Sequence, residues 1–160
     1  MSKPQAKMHT VTLTVTNEHG GQADFAPASD LWSEERGHLH FDKDAHGMRK
    51  QDFHLVEFVL DDRTGQHLRF PADPHDAMWV AKVDDRAHPI CPDATTGTDY
   101  AVIDPVCVCD EGQRLIVRNE NPRAEDWAFT LNLVKPALED GRQARVSWDP
   151  IFNNGGNGRP

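Results

Sequence analysis

Thr10-Val11-Thr12-Leu13-Thr14-Val15-Thr16 alternates hydroxyl and apolar side chains without a break. Successive strand residues point to opposite faces, so a period of two buries Val11, Leu13 and Val15 and leaves the threonines outside. A helix would scatter the same residues around its circumference. The β-branched side chains favour the extended backbone as well.

The period of two persists outward from this stretch. Asn17 to Gly21 reads as a turn, and Gly37-His38-Leu39-His40-Phe41-Asp42 alternates again with Leu39 and Phe41 inward. Phe53 to Leu60 is more continuously apolar, as a central strand is. Asp61 to Gly65 turns the chain into His67–Phe70, which Pro71 and Pro74 stop. Met78 to Val83, Tyr100 to Ile103, Val106 to Cys109, Arg114 to Arg118, Trp127 to Val134 and Arg145 to Trp148 complete the set, with a bend at Asp104-Pro105 and an ending at Asp149-Pro150. Asp84 to Asp99 reads as a long polar loop. Pro27 to Glu35, with Ser29 or Asp30 as N-cap, is the best helix candidate, and Pro136 to Asp140 fits one helical turn. About nine short strands divided by turn signals predict an all-β chain. The expected fold is an antiparallel β-sandwich, immunoglobulin-like or similar, with at most one or two short helices. Residues 9–152 form its single domain, residues 1–8 a flexible N-terminal tail, and residues 153–160, rich in Gly and Asn, a flexible C-terminal tail.

At 160 residues one domain with one core is the natural expectation. The net charge of −9 disfavours nucleic acid and anionic membranes, because phosphate affinity comes from clustered Lys and Arg. Met1 to Thr10 carries no apolar run, so no secretory signal is expected, and no segment approaches the roughly 20 apolar residues of a spanning helix. The expected location is the cytoplasm. Sheet edges, together with Trp32 and Trp148 beside loop signals, predict a homo-oligomer, most simply a homodimer.

His38, His40, Asp42, Asp44 and His46 form the densest cluster of titratable side chains. Residues i and i+2 of a strand share a face, so His38 and His40 are placed to chelate a divalent transition metal, with His54 one strand later as a third ligand. The same alternation also describes a solvated face opposite Leu39 and Phe41. Asp42 to Gly47 resembles the opening of a calcium loop, but the twelfth position is Phe53, where a bidentate Glu is required. Cys91, Cys107 and Cys109 make an odd set and no disulfide framework. Cys107 and Cys109 share a strand face, a spacing that suits neither a bridge nor a zinc pair. No His or Met follows Cys109, which rules out a blue-copper loop there. Ser occurs only at Ser2, Ser29, Ser33 and Ser147, none in a nucleophile elbow. Cys91 and His88 form a catalytic pair only if the fold joins them. Asp61-Asp62 and Asp84-Asp85 are adjacent doublets that solvate strand ends rather than face each other across a cleft.

Arg114 to Asn119, Trp127 to Val134 and Val146-Ser147-Trp148-Asp149-Pro150-Ile151-Phe152-Asn153-Asn154-Gly155-Gly156 resemble the C-terminal part of the small bacterial proteins of the DP-EP family. The resemblance covers about a third of the chain. It implies a β-sandwich and carries over no catalytic residue. Some members bear a nucleotide-synthetase label, and this chain has no Walker loop to match it. The expected function is therefore a non-catalytic binding or protein-interaction module without a cofactor. The alternative is a metal-binding protein, or a metal-dependent enzyme, centred on His38, His40 and His54.

Overall fold

The computed structural model describes residues 3–83, 91–136 and 144–156. Its strands are β1 (Ala6–His19), β2 (Gln22–Ala28), β3 (Trp32–Ser33), β4 (His38–Phe41), β5 (Phe53–Asp62), β6 (Met78–Lys82), β7 (Ile103–Cys109), β8 (Arg114–Asn119), β9 (Ala124–Val134), β10 (Arg145–Trp148) and β11 (Ile151–Gly155). Among the described residues, helical structure is confined to α1 (Pro74–Ala77) and single 3-10 turns at Asp44–His46 and Asp110–Gly112. The strands form two sheets: one is ordered β2-β1-β5-β8-β7, and the other is built on β9, with β10 and β11 in line along one edge of it, β4 and β3 beyond β11, and β6 on its opposite edge. This is the all-β sandwich that the alternation predicts. Val11, Leu13 and Val15 are fully buried. Phe58 of one sheet meets Phe129 of the other at 6.1 Å between ring centroids, and Phe129 stacks on Phe152 at 4.3 Å.

Most pairings are antiparallel, and each sheet adds one parallel pair, β1 with β5 and β11 with β4. β10 and β11 lie on the same side of β9 in one unbroken register, from Arg145 opposite Val134 to Gly155 opposite Ala124. Asp149-Pro150 interrupts this strand without turning it, and the Thr130 hydroxyl donates to Asp149 at the break (2.7 Å).

Several expectations are corrected. Residues 1–8 are not a free tail through to His9, because β1 starts at Ala6 and pairs with Phe53 onward. The Asp52 carboxylate accepts from the Gln5 N–H (2.9 Å), and Arg49 donates to the Lys3 carbonyl (2.7 Å). The C-terminal boundary moves too: Asn153 to Gly155 continue β11, and Asn154 is buried. Pro27 to Glu35 forms no helix. Pro27 lies on the edge strand β2, where a missing N–H costs no ladder bond. Pro74 instead opens α1, whose N-cap Asp73 accepts from the His75 N–H (2.9 Å). Most of the proposed Pro136–Asp140 turn, and residues 84–90 of the long loop with His88, lie outside the described residues. Among the described residues no helix is long and apolar enough to cross a membrane.

Candidate functional site

The strand phase that builds the core is broken by polar residues at one end of the sandwich. His9 continues the inward row of Val11, Leu13 and Val15. His54 continues that of Val56, Phe58 and Leu60, Asn119 that of Leu115 and Val117, and Asn154 that of Phe152. Parallel pairing of β1 with β5 puts their starts together, and antiparallel β8 brings its end beside them, with His54 opposite Asn119. All four are buried, and Asn121 just beyond β8 joins them.

Burying five polar side chains is tolerable only if they satisfy one another. Asn119 and Asn154 exchange amide bonds, Nδ2 to Oδ1, at 2.7 and 3.0 Å. The Asn121 N–H donates to Asn119 Oδ1 (3.0 Å). Gly156 N–H donates to Asn121 Oδ1 at 2.7 Å, which fixes the orientation of that amide. Asn121 Nδ2 therefore donates to His54 Nε2, 3.1 Å away. His54 Nε2 is then an acceptor, and the His54 proton sits on Nδ1. That Nδ1–H donates to His9 Nε2 at 2.8 Å. His9 in turn carries its proton on Nδ1. A single backbone N–H thus sets the tautomer of two imidazoles in series.

The electrostatics agree with this direction. Burial, reinforced by His9, Lys43 and His46, pushes the His54 imidazole down to about 3. Burial, His46 and Lys7 push His9 down to about 4, against a smaller upward pull from Asp30. Lys43 is itself buried, donates to the Lys50 carbonyl (2.7 Å) and is lowered by burial.

His9 is also one wall of a cleft of about 360 Å³, shared with Lys7, Met8, Thr10, Ser29, Asp30 and His46. The 3-10 turn at Asp44–His46 brings His46 there. Asp42 Oδ1 caps that turn by accepting from the Asp44 and Ala45 N–H groups (2.9 and 3.3 Å), so it acts as a turn residue rather than a calcium ligand. The His9 and His46 ring centroids are 5.0 Å apart. The His9 ring hydrogen bond runs through Nε2, and among the described residues the sealed, unpaired side-chain nitrogens are the Trp32 and Trp127 indoles, not His9 Nδ1. The cleft therefore offers an oriented imidazole donor beside an ammonium, two hydroxyls, a second imidazole and a carboxylate.

The three proposed metal ligands are not brought together. His38 and His40 face outward from β4, while Leu39 and Phe41 are buried beneath them. His54 belongs to the other sheet and faces the interior, in edge contact with Phe41 at 5.0 Å between centroids. The His40 imidazole hydrogen-bonds Asn153. Among the described residues no group of three or more His, Cys, Asp or Glu could hold a metal ion. Asp62 is a turn residue that accepts from the Thr64 and Leu68 N–H groups (both 2.8 Å). Trp32 and Trp148 pack on each other at 5.7 Å between centroids. Sequence reasoning missed His9, Asn119, Asn121 and Asn154. The available signal was a polar residue in the inward phase at the same end of several strands.

A larger hollow of about 760 Å³ opens at the other end, between Arg69, Asp73, Asp76, Val108 and Glu111. No comparable chain of buried hydrogen bonds stands behind it among the described residues. No protein-family model matches the chain, and no curated protein is significantly similar to it.

Proposed function

We propose that the protein is a non-catalytic binding module that takes a small polar ligand in the His9–His46 cleft. The observation that supports this is the hydrogen-bond chain from Gly156 through Asn121 and His54, which holds His9 neutral with Nδ1–H as a donor. A neutral donor fixed in advance costs little to organise on binding. It suits a carbonyl or anionic oxygen, and Lys7 adds positive charge beside it. The same chain opposes a metal at His9. A metal needs the Nδ1 lone pair, and moving that proton to Nε2 would leave His54 with an N–H facing the Asn121 N–H group. The cytoplasmic location and the DP-EP kinship belong to this proposal. The exposed Cys107 thiol, which an oxidising compartment would consume, supports the former.

The test is a set of separate titrations of ¹⁵N-labelled protein with inorganic phosphate, acetate, glycine and zinc, followed by amide and imidazole shifts. Saturable shifts centred on Lys7, His9, Thr10 and Ser29 are expected, and His9→Phe should abolish them. Shifts confined to the Arg69–Asp76 hollow would overturn the assignment of the site. Saturable zinc-induced shifts at His38 and His40 with none at His9 would restore the metal reading.

A further inference from the structure

β7 is the edge strand of its sheet, and its register slips between Pro105 and Cys107. Val106 is the extra residue, and it is exposed. Before the slip, Ile103 and Pro105 point inward, opposite Asn119 and Val117. An uninterrupted period of two would send Cys107 and Cys109 inward after them. The bulge reverses the phase, as bulges at sheet edges do. Val108 now packs on the core beside Leu115, while Cys107 and Cys109 face outward opposite Ile116 and Arg114. Cys107 is exposed and Cys109 half-buried, and both are free thiols.

We infer that Cys107 and Cys109 form a two-thiolate site for a soft monovalent cation, copper(I), on the outer face of the sheet. Two same-face residues of a strand are about 7 Å apart along the chain. A disulfide needs its Cβ atoms within about 4 Å, so the strand opposes direct oxidation of the pair. An ion inserted between the sulfurs relaxes that requirement. Zinc asks for four ligands in a tetrahedron, and the described residues offer no such group. Soft thiolates select copper(I), which is content with two of them. Binding releases both thiol protons and leaves a bis-thiolate unit with one negative charge. Arg114 lies cross-strand from Cys109, with its guanidinium held by Glu57 and Asp110.

The experiment uses the full reduced chain under anaerobic conditions, titrated with copper(I) buffered by bathocuproine disulfonate. The wild type and Cys91→Ser should each withdraw one equivalent, while Cys107→Ser and Cys109→Ser should each bind more than about a hundredfold more weakly. Because both thiols face outward, the two variants should keep the wild-type unfolding midpoint, so lost binding will not reflect lost folding. Unaltered affinity in either variant, or dependence on Cys91, would overturn the site.

Discussion

Protonating His54 would place a second N–H against the Asn121 amide, and protonating His9 would set two N–H groups facing each other. Burial above all, with the neighbouring cationic groups, already holds the folded imidazoles at about 3 for His54 and about 4 for His9, whereas the unfolded chain takes those protons near 6.5. Below pH 6.5 the unfolded state binds more protons than the native state, so stability falls with pH. It is full above that value and is lost progressively as the pH drops towards the folded pKa values. Surface carboxylates titrate mostly below about pH 4.3, so the intervening window isolates the histidines. Urea unfolding at pH 7.5 and 5.0 should differ by roughly 4 kcal/mol, and equal midpoints would refute the buried neutral pair. Asn121 sits at φ 44°, which Asn tolerates better than Ala. Asn121→Gly relieves that strain yet strands the Gly156 N–H and His54 Nε2, for a cost of about 2–4 kcal/mol. If glycine instead matches wild-type stability in a urea melt, the amide bonds contribute nothing and the tautomer argument fails.

β4 compresses the whole reading into four residues: two buried, two outward, as the alternation of His38 to Phe41 predicts. Phe41→Ala should cost about 3–5 kcal/mol, through lost burial and the cavity left among Phe152, His54 and His9. His38→Ala with His40→Ala should cost less than about 1 kcal/mol, because outward residues of this kind rarely carry stability. Chemical denaturation of both variants checks the pair, and a severe loss from the histidine variant would mean the faces are reversed. Strands were readable wherever side chains alternate, since the pleat writes its period directly into the sequence. The bulge at Val106 was not readable. It depends on which residue of β8 each residue of β7 opposes, and Ile103, Pro105, Cys107 and Cys109 look like one continuous face. Nor was the identity of β10 and β11 as one strand, because Asp149-Pro150 is also ordinary turn chemistry. Thr130, from the neighbouring strand, holds that break in line.

At the scale of the molecule, the parallel pairs bind the first strand to the middle of the chain and the last strand to β4. These long-range closures escape local patterns, and they decide which inward polar residues meet. His54 was legible as a candidate because histidine is conspicuous. Its true neighbours come from residues 45 positions before it and 67 positions after it. Trp32 and Trp148 are likewise used within the molecule: they pack on each other, and Trp148 stacks on Phe25 and meets Phe129 edge-on, so the expectation of a dimer now rests on the sheet edges alone. The Gly-Asn composition of the C terminus suggested a chain with nothing to bury. The structure makes it the last member of the polar layer: Asn154 pairs with Asn119, and Gly156, at φ +66°, presses its Cα against the Arg123 backbone. A Cβ there would lie 2.4 Å from the Arg123 carbonyl carbon, and no side-chain movement relieves a clash with main chain. Ending the chain at Phe152 should therefore cost about 3–6 kcal/mol, by stranding Asn119 and Asn121 in the interior. Asn153→Ala is the control: its side chain faces outward, to Asp126 and His40, so it should cost less than about 1 kcal/mol. In the truncated chain the His9 and His54 imidazole ¹⁵N shifts should also lose their single-tautomer values, because the N–H that sets them is gone. A truncation that leaves both the urea midpoint and those shifts unchanged would show that the C-terminal strand neither completes the core nor orders the cleft.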